Sequence, residues 1–276
     1  MSEFRSYRSF LEFAAYVRRH RRYRLTADHN AFLDAVIATA QKRIETAPTG
    51  TNFWRAQVGH DRRPEGSGED TFEVECAFEP DRMKPLPDRA LEGRANAKGI
   101  PCLYVATSAQ IAIGECRPWV GALLSVSQMK TGRELRIVNC TSDKKGALIY
   151  FDEPGLNERE EAVWRDIDRA FAVPVTRTDD TADYAPTQIL AELFRENGMD
   201  GVGYRSALGT GHNLALFDLA SAEVINGQLH KVDKLEITVS EADNAYFVRR
   251  FYEEAPKQAN PAAIEGGGAD KPDSET

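Results

Sequence analysis

Pro101-Cys102-Leu103-Tyr104-Val105-Ala106 runs directly into Thr107-Ser108-Ala109-Gln110-Ile111-Ala112-Ile113-Gly114-Glu115-Cys116. The opening part is a short continuous apolar run of the kind a covered strand shows. Thr107 or Ser108 then offers a hydroxyl cap. Ala109, Ala112, Ile113 and Cys116 recur at helical spacing until Pro118 removes a backbone donor. Strand followed by helix recurs downstream. Leu135 to Cys140 reads as a strand, 157–172 and 186–197 read as helices, and Gly198 is the stop signal of the second. Strands at 201–206 and 213–218 flank the turn-rich Leu208-Gly209-Thr210-Gly211-His212. Upstream, Phe53-Trp54-Arg55-Ala56-Gln57-Val58 reads as extended, and 59–70 is a polar, glycine-bearing connection. Phe72, Val74, Cys76 and Phe78 then alternate with Glu73, Glu75 and Ala77 as a half-buried strand would.

Residues 4–20 place Phe4, Tyr7, Leu11, Ala14 and Ala15 on one helical face. A second helix, capped by Asp28 or Asn30, carries Leu33, Val36, Ile37, Ala40 and Ile44 before Pro48 and Gly50 stop it. Residues 1–49 therefore read as an N-terminal helical hairpin and 50–254 as one α+β domain. Residues 255–276 read as a disordered tail, since Gly266-Gly267-Gly268 and their surroundings show no apolar period. Of the 276 residues, 42% are hydrophobic and 28% charged, ordinary globular usage. The 35 Lys and Arg against 43 Asp and Glu give a net charge of −8, which repels rather than recruits duplex nucleic acid. No run approaches the roughly 20 apolar residues needed to span a bilayer, so no membrane contact is expected. Cys76, Cys102, Cys116 and Cys140 have neither Cys-x-x-Cys nor zinc-finger spacing, which reads as reduced, mostly buried thiols in a cytoplasmic protein without a metal. The basic run Arg18-Arg19-His20-Arg21-Arg22-Tyr23-Arg24 suits a solvated helix terminus, an anionic partner or an organelle presequence.

The five histidines belong to no zinc helix, and no nucleophile elbow, Walker loop or Gly-x-Gly-x-x-Gly fingerprint is present. Arg55 stands out because its apolar neighbours predict partial burial, and a buried guanidinium calls for an anion. That anion is either a protein carboxylate or a ligand's phosphate or carboxylate. Arg94, in the turn Gly93-Arg94-Ala95-Asn96, could fork onto a second phosphate. Two such arginines would suit a pyrophosphate. Glu115 shares a helical face with Ala112 and Trp119. It either points into a cleft near Tyr104 or lies on the helix surface. Ser206 closes a strand where hydroxyls often orient ligands, and Asn213, opening the next, could serve as a turn cap.

Taken together, Phe53-Trp54-Arg55, Gly93-Arg94-Ala95-Asn96 through Tyr104, Ala112-Ile113-Gly114-Glu115, Tyr204-Arg205-Ser206 and Asn213-Leu214-Ala215-Leu216-Phe217 resemble the RES family, named for an Arg, a Glu and a Ser. The resemblance implies an α+β fold with an ADP-ribosyltransferase-like core of mixed or antiparallel sheets and flanking helices. It also implies NAD+ as substrate, destroyed by a bacterial toxin that is restrained by an antitoxin with a helix-turn-helix domain. Arg55, Glu115 and Ser206 would be the family's three residues, with Arg94 and Tyr104 lining the pocket. Residues 1–49 and a long stretch between 120 and 200 depart from the short family pattern.

The expected chemistry follows from the substrate. Nicotinamide leaves NAD+ as a neutral ring, so no general acid is needed, and the barrier falls by stabilising an oxocarbenium-like ribose with a carboxylate. Arg55 and Arg94 would grip the pyrophosphate, Tyr104 and Asn213 would help bind the nucleotide, Glu115 would face the ribose and Ser206 would orient it. Inorganic phosphate or water would capture the sugar, with Arg205 or Lys98 as a further cation for phosphate. No resident cofactor is expected. Protein ADP-ribosylation and a non-catalytic dinucleotide-binding module are the competing readings.

Overall fold

A computed structural model describes residues 3–142, 150–173 and 181–239. The chain divides into two units, 1–235 and 236–276, and the fold lies in the first. The expected tail at 255–276 is outside the described residues. In chain order the elements are α1 (Ser9–Arg19), α2 (Ala27–Ala40), β1 (Ile44–Ala47), β2 (Asn52–Val58), β3 (Asp61–Glu65), β4 (Phe72–Cys76), β5 (Leu103–Ala106), α3 (Ala109–Glu115), β6 (Leu123–Thr131), β7 (Leu135–Asn139), α4 (Leu156–Ala172), α5 (Ala185–Glu196), β8 (Gly201–Arg205), β9 (His212–Leu216) and β10 (Ala222–Lys231). Eight strands form one mixed sheet in the order β1-β7-β8-β9-β5-β2-β6-β10. Within it only β7 and β8 run parallel, Val138 facing Val202, and the other pairs are antiparallel. The class is α+β, with helices packed against a mixed sheet.

Local sequence explains most elements. Ser108 caps α3, its hydroxyl accepting from the Ile111 amide, and Cys116 closes the helix before Pro118. Gly198, at φ 75°, ends the α5 segment in the left-handed conformation that favours glycine. Helix α2 departs from expectation at both ends. Its cap is Thr26, which accepts from the His29 amide, so Asp28 and Asn30 lie inside the first turns. It also stops at Ala40, because Ile44 opens β1 and pairs with Val138 on β7. The segment 59–70 also departs. It contains β3, and β3 and β4 form a separate two-stranded ribbon on which Phe72 is 59% exposed, so the alternation there is not core-facing. Strands β6 and β10 carry no alternating signal. In β6 Ser125 and Ser127 are fully buried, and their hydroxyls donate to the carbonyls of Gly59 and Arg55, so serines occupy an interior strand.

The N-terminal helices share their core with the rest of the unit. Phe10, Phe13 and Val17 of α1 and Phe32 and Val36 of α2 cluster with Trp164 and Phe171 of α4 and Phe194 of α5. The Trp164 indole donates to the buried Thr39 hydroxyl at 3.0 Å, tying α4 to α2.

One seam in the sheet decides where the functional site falls. Strand β2 pairs along its whole length with β6, from Asn52 opposite Lys130 to Val58 opposite Leu124. With β5 it pairs only at Trp54 and Ala106. Beyond that point the two strands part.

Because Phe13 is fully buried in a core shared by four helices, Phe13→Ala is expected to lower stability by about 3–5 kcal/mol. Urea denaturation followed by circular dichroism measures this, and a loss below about 1 kcal/mol would mark the N-terminal helices as peripheral.

Candidate functional site

Where β2 and β5 part, a cleft of about 370 Å³ opens, walled by Trp54, Arg55 and Ala56 on one side and Tyr104, Val105 and Ala106 on the other. Arg94, Glu115 and Asn213 also line it. The chain thus brings together, at one seam, residues that are far apart in sequence.

The Arg55 guanidinium reaches across the seam, Nη1 donating to the Tyr104 carbonyl at 2.8 Å. That carbonyl lies where a regular β2–β5 ladder would have continued. Arg55 Nε is sealed from solvent with no hydrogen-bond partner, and no carboxylate pairs with this side chain among the described residues. Burial pulls its pKa below the ordinary value, with the neighbouring Cys116 thiol acting weakly in the other direction. The protein-carboxylate alternative for Arg55 is therefore not what the structure contains.

Arg94 sits on a turn rather than on a strand neighbouring Arg55. Its Nη1 donates to the Phe171 carbonyl, and its guanidinium lies 5.8 Å from the Tyr204 ring centroid. It too has no carboxylate partner among the described residues. The turn that carries it is held from three directions. Tyr104 Oη accepts from the Ala95 amide and donates to Asn96 Oδ1 at 2.7 Å. Asn96 Nδ2 donates to the carbonyls of Leu91, Ala97 and Ile100. Gln188 Nε2, from α5, is shared among the carbonyls of Gly93 and Asn96 and the Glu92 carboxylate. Burial drives the Tyr104 hydroxyl far above its ordinary pKa, so it stays a neutral donor. Tyr104 lines the cleft, but its hydroxyl serves the Arg94 turn.

Glu115 closes α3, is exposed on the cleft side, and is gripped by two residues from elsewhere in the chain. Ser206 Oγ donates to Glu115 Oε1 at 3.1 Å and Asn213 Nδ2 donates to the same oxygen at 2.6 Å. Both donors converge on Oε1, and Oε2 has no hydrogen-bond partner among the described residues. The Ser206 hydroxyl also accepts from the Leu208 amide, which fixes it at the start of the 206–211 loop. Asn213 is buried and acts on Glu115 rather than as a turn cap. Ser206 stands behind the carboxylate and does not line the cleft. Trp119 does not join the Glu115 face, since α3 has already ended and its side chain is 62% exposed.

The expected extra cations fall elsewhere. Arg205 is paired with the buried Asp168, its Nε 3.3 Å from Oδ1 and its Nη2 bonded to Oδ2, and does not line the cleft. Burial raises the Asp168 carboxyl pKa while the Arg205 hydrogen bond opposes that rise. Lys98 is solvent-exposed outside the cleft. The cation that does line it is Arg117, two residues beyond Glu115 and, at φ 46°, the one non-glycine residue at positive φ among the described residues. No signal in the sequence marks that conformation. Gln188 also belongs to the site, and its signal in the sequence is an amide midway between Ala185 and Ala191 on the buried face of α5. Among the described residues no group of three or more His, Cys, Asp or Glu side chains is placed to hold a metal ion, and no helix is long and apolar enough to cross a membrane.

The α+β fold with its mixed sheet thus lines one cleft with a carboxylate held by two side-chain donors and with two guanidinium groups, Arg55 and Arg94, that have no carboxylate partner among the described residues. The RES domain family model matches residues 70–239, and the chain belongs to that family. The matched span contains Arg94, Tyr104, Glu115, Ser206 and Asn213, whereas Arg55 precedes it. Among solved structures, a chain from the crystal structure of the M. tuberculosis MbcT-MbcA toxin-antitoxin complex is similar at 16% identity, covering 71% of this chain and 92% of that one, with a TM-score of 0.41. No curated protein matches.

Replacing Gln188 by Ala leaves the buried carbonyls of Gly93 and Asn96 without their side-chain donor and is expected to cost about 1–3 kcal/mol. A shift of the urea midpoint at constant slope measures it, and an unchanged midpoint would show that the amide does not hold the turn.

Proposed function

We propose that this chain degrades NAD+ by cleaving the bond between nicotinamide and ribose, with inorganic phosphate or water taking the sugar, and that it is the toxin of a toxin–antitoxin pair. The observation that carries the reading is the pair Arg55 and Arg94. Both guanidinium groups line one cleft, and among the described residues both bond only to backbone carbonyls or aromatic faces and neither has a carboxylate to neutralise it. Holding two such charges partly desolvated is costly unless a ligand brings the negative charge, and a pyrophosphate brings two linked negative groups. Membership in the RES family supports NAD+ as the molecule that carries it.

The residues then divide the work. Arg55 and Arg94 bind the pyrophosphate and so fix the nicotinamide ribose against Glu115. Ser206 and Asn213 orient the Glu115 carboxylate, leaving Oε2 toward the anomeric carbon as positive charge builds there. Because the departing nitrogen already bears positive charge, the ring leaves neutral and no proton has to be delivered. A preorganised carboxylate lowers the barrier, as in glycoside cleavage. Tyr104 acts through the Arg94 turn as a positioning residue. NAD+ is consumed as substrate, so the cycle uses no resident cofactor. A cell that makes such an activity in its cytoplasm needs an inhibitor, and an antitoxin carrying a helix-turn-helix domain is the partner this reading calls for.

Glu115→Gln keeps the shape and the two donors but removes the charge, so turnover is expected to vanish while NAD+ affinity stays within a few fold of wild type. Arg55→Ala is expected to weaken NAD+ binding by about 2–5 kcal/mol. Mass spectrometry of the products with and without phosphate, together with calorimetry of NAD+ binding, reads both. Full activity in Glu115→Gln and Arg55→Ala would overturn the reading.

A further inference from the structure

A second cavity of about 370 Å³ adjoins the cleft and shares Arg55, Gly93 and Tyr104 with it as a common wall. We infer that this cavity receives the adenosine half of the dinucleotide and accepts a phosphate on that half, so that NADP+ is a substrate as well as NAD+. The inference rests on the NAD+ reading given above, and it concerns the part of the substrate remote from Glu115.

Position comes first. The pyrophosphate is the middle of the dinucleotide, and Arg55, its proposed ligand, is the boundary between the two cavities. With the nicotinamide ribose at Glu115 on one side, the adenosine half falls on the other. Size agrees, since a cavity of about 370 Å³ is near the lower end of small-molecule sites, roughly 300–1,000 Å³, and a dinucleotide is a large ligand for one such space.

Charge decides the chemistry. Arg82, Lys84 and Arg89 line the second cavity beside Arg55, and the one carboxylate lining it, Glu92, already accepts from Gln188. Lys84 is paired with Glu223 at 2.8 Å. The Arg89 pair with Asp88, at 3.5 Å, is solvent-exposed and weak. Arg82 has no carboxylate partner among the described residues. Its Nη1 donates to Gln57 Oε1 at 3.3 Å, and its guanidinium lies 4.8 Å from the Phe78 ring centroid, which sets its plane. Adenine and an unmodified ribose are neutral and use no cation. A phosphomonoester on that ribose does, and an arginine beside the adenosine ribose is the usual means of accommodating it.

The test compares kcat/KM for NAD+ and NADP+ in wild type, Arg82→Ala and Arg82→Glu, with circular dichroism melting to confirm folding. Wild type is expected to consume both. Arg82→Glu should lower kcat/KM for NADP+ by about tenfold or more beyond its effect on NAD+, through KM rather than kcat, with Arg82→Ala in between. A wild type that consumes NAD+ but refuses NADP+, or an Arg82→Glu protein that loses both substrates equally, overturns the inference and leaves the NAD+ reading standing. If wild type consumes neither, the NAD+ reading fails. Calorimetry then decides the cavity alone. NADP+ binding that Arg82→Glu abolishes supports it, and absent or charge-insensitive binding overturns it.

Discussion

The guanidinium of Arg55 stands in for a strand. Where β2 leaves β5 after a single matched pair, the Tyr104 carbonyl would be left in a half-buried gap without a donor, and Arg55 supplies one from its side chain. The sheet can therefore open without losing continuity, since β2 stays fully paired with β6 on its other edge. The opening is the cleft, and the group that makes it tolerable is also one of the guanidinium groups that line it. The break in the β2–β5 ladder and the orphaned Arg55 Nε belong to that one arrangement.

The other members of the site are fixed by polar contacts rather than by regular secondary structure. The Arg94 turn depends on Tyr104, Asn96 and Gln188, residues from three separate segments whose buried donors and acceptors are largely matched to one another. Glu115 is oriented by Ser206, just past the end of β8, and by Asn213 on β9. Such networks give little net stability per bond but hold side chains in one geometry, which is what an electrostatic site requires.

Much of this was legible in the chain. The strand and helix at 101–116 read correctly because an apolar run, a serine cap and a proline stop all agreed. Arg55 was conspicuous because a charge inside Phe53-Trp54 and Val58 has to be explained. What stayed hidden depended on partners distant in sequence. Ile44 looks like the end of a helix until its strand partner at Val138 is known. Buried Ser125 and Ser127 look like surface positions until the carbonyls they bond are in view. Arg205 looked available as a cation because Asp168, which claims it, lies on a distant helix, 37 residues earlier in the chain. The division of labour around Tyr104 was also invisible, since no local pattern says whether a phenol faces a ligand or a turn.

The order in which the strands meet has a bearing on biosynthesis. Strand β5 finds its neighbour β9 only after more than a hundred residues have been added, with Leu103 opposite Leu216, and the second donor to Glu115 is Asn213. A growing polypeptide that has released Arg94 and Glu115 from the ribosome still lacks Phe171, Gln188, Ser206 and Asn213, which hold them in place. Long-range pairing of this kind also folds slowly. A chain built on this plan completes the hydrogen bonds to Glu115 only as its last strands emerge, so the cleft takes its final shape late in synthesis.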